Sequence, residues 1–237
     1  MNNIRTVSDT KREFYHYHIR PINSVYRRFV EELLVEMHLL SVNVNFRYDA
    51  IYALGVVTSF ERFIQGYQPE TDKGSIFNAI CQAVGGNSEQ YRHDAQTLLN
   101  QGKEMSVEDF TNQMEGAARG ESGDGSIFGT LQAIAQNPQF KYSRLFAVGL
   151  YTLLIGIDSD LVKNEENRNQ ILDQVSEAFN LSSEKFQKDL DLYRSNLDKM
   201  QQLLTVIEET LEADRKKRES ASSEKLKEIS DNKESAS

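Results

Sequence analysis

TVSDTKREFYHYHIRPINSVYRRFVEELLVEMHLL, residues 6–40, decides the fold class. After Pro21 the apolar positions Ile22, Val25, Tyr26, Phe29, Val30, Leu33, Leu34 and Met37 recur at steps of three and one, which marks one buried face of a helix. Arg20, Arg27, Arg28, Glu31, Glu32 and Glu36 fall on the opposite face. Pro21, whose ring fixes φ, is predicted to sit in the first turn of this helix, which runs to residue 40. A shorter helix is predicted to start at Thr6, whose hydroxyl can cap while Asp9 answers three residues later.

The same periodicity carries on, and strand alternation is nearly absent. Asp49 is placed to cap a helix running to Gln65, with Ala50, Ala53, Leu54, Val57, Phe60 and Ile64 inward and Gly66 and Pro69 ending it. A short helix near 74–84 closes at Gly85-Gly86. Ser88 opens another, with Tyr91, Ala95, Leu98 and Leu99 inward and Gly102 stopping it. Ser106 and Asp109 form a capping box ahead of Phe110, Met114 and Ala117. Gly74-Ser75-Ile76-Phe77 returns as Gly125-Ser126-Ile127-Phe128, with Tyr91 and Tyr142 equally far beyond. This repeat leaves open either a structural duplication or two helices that begin alike. Pro138 breaks the chain before a helix at 141–156. Residues 160–169 read as a polar loop leading to a short helix around Ile171, Val175 and Phe179.

The last third changes character. Phe186, Leu190, Tyr193, Leu197, Met200, Leu204, Ile207 and Leu211 alternate steps of four and three, a heptad seam with no Gly or Pro to interrupt it. From 183 to 214 such a helix is about 48 Å long. A seam of this kind pairs with another helix, in a partner or in a second copy. The competing reading is a last helix folded back on the body, and Leu192, Leu203 and Val206 widen the stripe in that direction. Tyr193 and Met200 at core positions do not make an optimised self-pairing zipper, so a heterotypic partner is predicted. Residues 215–237 hold one Leu, one Ile, no aromatic residue and alternating charge, which predicts disorder. The fold class is therefore all-α: a helical bundle over 1–180, a coiled-coil-like helical arm over 181–214 and a charged tail over 215–237.

Bulk properties narrow the function. The formal net charge of −9 opposes non-specific binding to nucleic acid and broad adsorption to an anionic membrane. The single cysteine, Cys81, excludes an internal disulfide and sits among apolar neighbours as a buried, inert thiol. The longest apolar run, Leu145–Ile157, is short of the roughly 20 residues a membrane helix needs and reads as a buried core helix. No secretory signal precedes Thr6. In Phe14-Tyr15-His16-Tyr17-His18 the two histidines stand about 200° apart on a helix and cannot share a metal. Tyr15, His16 and Tyr17 with Arg20, Arg27 and Arg28 instead form a candidate protein-docking patch, because Tyr and Arg are favoured interface anchors. GESGDGS at 120–126 lacks the Lys and Ser/Thr of a phosphate loop and follows no strand. No catalytic residue, metal site, cofactor or small-molecule substrate is predicted.

Residues 6–40, NVNFRYDAIYALGVVTSFERFIQGYQPE at 43–70 and FKYSRLFAVGLYTLL at 140–154 together resemble the Thylakoid Formation family, also described as photosystem II biogenesis proteins. The likeness covers roughly the first two thirds of the chain and extends more loosely into the C-terminal helix. It implies an all-helical accessory protein of the thylakoid, active in photosystem II assembly and repair in connection with FtsH membrane proteases. It also implies a cyanobacterial member or a mature plastid form. The expected partners are the FtsH complex and photosystem II assembly or repair intermediates. The expected location is peripheral, on the cytoplasmic (stromal-equivalent) face of the thylakoid membrane, with part of the protein soluble in the cytoplasm. The alternative is a membrane-surface structural protein that binds lipid through the basic stretch at 215–218.

Overall fold

The computed structural model describes the backbone of residues 5–123 and 125–234, and all regular structure among them is helical. Caps set the first boundaries. Helix α1 (Val7–Tyr17) opens on the expected box, Thr6 Oγ1 accepting from Asp9 N at 3.2 Å and Asp9 Oδ2 from Thr6 N at 3.0 Å. Helix α2 (Ser24–Ser41) starts later than Pro21 predicts. Asn23 caps it, its Oδ1 accepting from Val25 N at 3.0 Å, and Pro21 lies outside in non-helical chain. Asp49 caps α3 (Ala50–Phe63) through Tyr52 N at 2.8 Å, as its spacing predicts.

Helices α4 (Thr71–Ala83), α5 (Ser88–Lys103) and α6 (Val107–Arg119) follow, the last opening on the Ser106–Asp109 box with Phe110, Met114 and Ala117 buried. Gly102 does not stop α5. It lies inside the helix, where a Cβ would stand 2.7 Å from Leu153 Cδ1, so its role is close packing. Helix α7 (Ser126–Ala135) precedes α8 (Arg144–Ile157), capped by Ser143. The tetrapeptide repeat is not a structural duplication. Gly74 sits within α4, whereas Gly125 stands before α7 at φ 100, where an L side chain is strained. Tyr91 belongs to α5 and Tyr142 to the segment before α8.

The predicted polar loop at 160–169 is helical. Asp158 and Asn164 accept backbone amides and so start α9 (Ser159–Lys163) and α10 (Glu165–Ala178); side-chain caps replace the apolar periodicity that is missing there. Helix α11 (Ser183–Glu234) begins at Ser182, whose hydroxyl accepts from Lys185 N at 3.3 Å. Its backbone stays helical through the stretch predicted to be disordered, because residues 215–234 contain no Gly or Pro and are rich in Lys and Glu. The chain divides into two compact units, Met1–Arg194 and Ser195–Ser237, so the body reaches beyond residue 180 and takes in the start of α11.

In the first unit the core is organised around α3 and α8, with α5 packed on both. Ile51–Val57 of α3 is buried without a break, and so is Leu145–Leu150 of α8. A helix that is apolar all round has to lie inside. These two approach backbone to backbone. A Cβ at Gly55 would stand 1.7 Å from the Leu145 carbonyl oxygen, and one at Gly149 would stand 1.8 Å from that of Ile51. Helix α1 packs on α4 and α2, and α6 on α7 and α10.

Gly149→Ala must push α3 and α8 apart and is expected to cost more than about 3 kcal/mol, beyond ordinary overpacking. In a unit of this size that lowers Tm by roughly 6–12 °C. Gly74→Ala, at a helical site where a Cβ would meet nothing within 4 Å, is expected to raise stability by about 0.5–1 kcal/mol. Thermal unfolding of the two variants checks both signs. Burial pushes the Asp49 carboxyl up to about 6 against the pull of the Tyr52 and Ile51 amides. The unfolded chain loses this proton first, so this group's contribution to stability falls as pH rises from about 4 to about 6 and is level above. Asp49→Asn keeps a good cap and cannot ionise. Its stability relative to the parent, read from denaturant unfolding, is expected to grow across that window.

Candidate functional site

The heptad seam divides at Arg194. In the first unit Phe186, Leu190 and Tyr193 are buried, at 0, 3 and 7 % exposure. The Phe186 ring meets the edge of Tyr142 at 6.0 Å. Tyr193 meets Phe63 at 6.0 Å, and Phe63 stacks on Phe29 at 4.5 Å. Polar contacts fix the same stretch. Tyr142 Oη donates to Asp189 Oδ2 at 2.9 Å, and Lys185 Nζ lies 5.0 Å over the Tyr142 ring. Beside them Arg144 Nη2 reaches Glu36 Oε2 at 2.5 Å, tying α8 to α2. The seam spacing predicts that these three positions bind a partner; instead burial in the first unit consumes them, Phe186 and Tyr193 against aromatic rings. Leu192, expected to widen the contact with the body, is exposed instead.

The second unit uses its apolar residues differently. Leu197, Met200, Leu204 and Ile207 are half-buried, and Leu203 and Val206 are exposed. From Ser195 onward no described side chain is buried. A run of apolar side chains at helical spacing thus stays partly open to solvent between Leu197 and Ile207. The side chain of Leu211, the last predicted seam position, lies outside the described residues. So do those of the basic stretch at 215–218 except Lys216.

The N-terminal set also separates. Tyr15, His16 and Tyr17 are exposed at the end of α1. Tyr15 Oη donates to Glu31 Oε1 at 3.0 Å, and Lys11 pairs with the other oxygen of that carboxylate at 2.7 Å. Lys11, Tyr15 and the nearby Arg27 together hold the Glu31 carboxyl below its ordinary range. Arg28 is paired with Glu32 along the exposed face of α2 at 2.8 Å. Arg20 is committed elsewhere, to the buried carboxylate of Asp72. Tyr15, His16, Tyr17 and Arg27 are therefore brought toward one surface, and Arg20 has a structural task in addition.

Sequence reasoning missed other exposed apolar side chains. Ile19 is 85 % exposed just after α1, and Val44 is 82 % exposed between α2 and α3. Leu39, Val42 and Tyr48 are exposed in the same chain region, with Tyr48 Oη donating to Asp94 Oδ2 at 2.7 Å. The alternation of Val and Asn at 42–45 is the one available signal, and it reads equally well as loop. Cys81 is fully buried, and burial pushes its thiol up to about 12. Among the described residues no group of three His, Cys, Asp or Glu is arranged to hold a metal ion. A shallow cleft of about 420 Å³ between α5, α6 and α7 is lined by Gln101, Glu104, Met105, Asp109, Asn112 and Gln113. Asp109 is already engaged in the α6 cap. Among the described residues no helix is long and apolar enough to cross a membrane.

Comparison with known proteins places this architecture. Residues 6–222 match the family model of the thylakoid formation protein. The chain is 70 % identical over 229 residues to Protein Thf1 of Crocosphaera subtropica, covering 97 % of this chain and 93 % of that one. It is 66 % identical over 224 residues to Protein Thf1 of Rippkaea orientalis, covering 94 % and 95 %. A solved structure of Psb29 at 1.55 Å superposes with a TM-score of 0.78 at 44 % identity, covering 90 % of this chain and 98 % of that one. Identity of this extent, with an all-helical fold in common, makes the chain a member of the thylakoid formation protein family, with a role in thylakoid biogenesis.

Proposed function

We propose that the protein is a non-enzymatic accessory factor in photosystem II assembly and repair, working by protein–protein docking. Its partners are FtsH protease complexes, photosystem II assembly or repair intermediates, or both. It acts as a peripheral protein on the cytoplasmic face of the thylakoid membrane. Family membership supports the pathway, and the absence of a membrane-spanning helix among the described residues is consistent with the peripheral placement. The single observation that carries the docking mode is the partly exposed apolar run of Leu197, Met200, Leu203, Leu204, Val206 and Ile207, none of them buried.

Leu203 and Val206 are exposed and the other four half-buried, so a second surface can still recover part of the roughly 1.5–3 kcal/mol that fully burying each large side chain contributes. The flanking Glu209 and Glu212 supply a polar rim, as at helix-in-groove contacts. The exposed Tyr15, His16 and Tyr17 with Arg27 give a second, more polar contact, rich in residue types that anchor interfaces. No cofactor, nucleic acid or small-molecule substrate takes part.

The substitutions Leu197→Glu and Leu204→Glu test this reading directly. Both lie outside the first unit, so its thermal unfolding is expected to be unchanged. In affinity capture from thylakoid extract the double variant is expected to recover FtsH or photosystem II subunits at least about tenfold less well. That is a loss of roughly 1.4 kcal/mol, modest for two buried leucines. Equal recovery of the same partners would remove this helix from the mechanism.

A further inference from the structure

Helix α1 packs on α4 and α2 with two imidazole–hydroxyl bonds among its interior contacts. Of its residues only Thr10 and Phe14 are buried, so one phenyl ring is its large apolar anchor. The other interior anchors are two imidazole–hydroxyl bonds, one to each helix it packs on. His38 of α2 meets the Thr10 hydroxyl through Nδ1 at 2.8 Å. His18, the C-cap of α1, meets Ser75 Oγ of α4 through Nδ1 at 3.0 Å. The two rings are 3 % and 2 % exposed, and Nε2 of His18 has no hydrogen-bond partner.

A neutral imidazole fits the His18 site, using one nitrogen and leaving the other bare. An imidazolium donates at both nitrogens and carries a charge that must be hydrated or paired. The charges that could help are already engaged. Around His18 stand Asp72 of α4 and Arg20, which are paired with each other, and the Tyr67 phenol lies beside that same pair. Around His38 stand Asp9, held in the α1 cap, and Arg5, which donates to the Ala83 carbonyl at 2.6 Å. Burial first, and then Arg20 or Arg5, hold both histidines below their ordinary range; Asp72 and Asp9 oppose this only in part.

We propose that α1 is an acid-sensitive latch: protonation of His18 and His38 releases it from α4 and α2, together with the Tyr15–His16–Tyr17 surface it carries. The latch stands on the packing of α1 and does not depend on which molecule docks at that surface. Both rings bind a proton less tightly in the closed form than in the open one. Closure is therefore unaffected by these groups well above the ordinary histidine value of 6.5 and weakens as pH falls below it. Where both rings are protonated when open and neutral when closed, the closing constant drops about 100-fold per pH unit, or about 10-fold for each ring.

Amide hydrogen exchange of the full chain between pH 7.5 and 5.0, corrected for the intrinsic rate, reads this out. Protection of residues 7–17 is expected to collapse below pH 6.5 while that of residues 145–154 persists. His18→Gln or His38→Gln alone should halve the logarithmic slope, and the two together should abolish it. Where a variant does not fold, proton NMR of the two imidazoles in the parent chain serves instead. Both midpoints should then lie below 6.5 and coincide with the loss of α1 protection. Protection of α1 that follows α8 at every pH, an acid collapse unchanged in the double variant, or midpoints at or above 6.5 would each overturn the latch.

Discussion

The backbone contact between α3 and α8 at Gly55 and Gly149 is the constraint on which the first unit depends. Each glycine stands where a Cβ would collide with a carbonyl oxygen of the other helix, so the two axes can approach only because both side chains are missing. That approach fixes where Ile51, Leu54, Leu145 and Leu150 lie, all of them buried. Helix α5 then packs on both, with Gly102 admitting Leu153 by the same device on a smaller scale. In a core packed to crystal density, such an approach leaves little freedom for the side chains around it.

Helix α11 puts one continuous apolar stripe to two uses. Up to Tyr193 it is spent inside the first unit, where aromatic edges and the Tyr142–Asp189 bond fix its register. After Arg194 the same spacing continues with no described side chain buried. Helix α11 therefore has a stable origin in a folded body and, farther along, apolar side chains that the second unit leaves partly open to solvent. The outer end of α1 is the polar counterpart, with exposed rings on a segment fixed by few interior contacts.

Much of this was legible in the sequence because it depends on local chemistry. Thr6 with Asp9, Asp49, and Ser106 with Asp109 cap as their spacing predicts, since a cap needs only a side chain and amides two or three residues away. Val30, Leu33, Leu34 and Met37 were read as buried from their period. Failures fell where tertiary contacts decide. Pro21 predicts a helix start, but Asn23 takes the cap, and Gly102 predicts a stop when its role is to admit Leu153. The stretch 160–169 lacks apolar periodicity, and only the caps of Asp158 and Asn164 mark its helices. Phe186, Leu190 and Tyr193 could not be told from Leu197 and Leu204 by spacing. Which of them meet an aromatic socket depends on Phe63 and Tyr142, far away in the chain.

On the proposed function the apolar side chains after Arg194 meet another molecule. Site-specific photocrosslinking reports on it most directly, with a benzophenone side chain at Leu204 of the full-length protein in illuminated thylakoids. A covalent adduct to a polypeptide of the protease or photosystem assemblies is expected. An adduct formed solely within the protein's own chain would show the stripe closing on itself and would rule out docking through it.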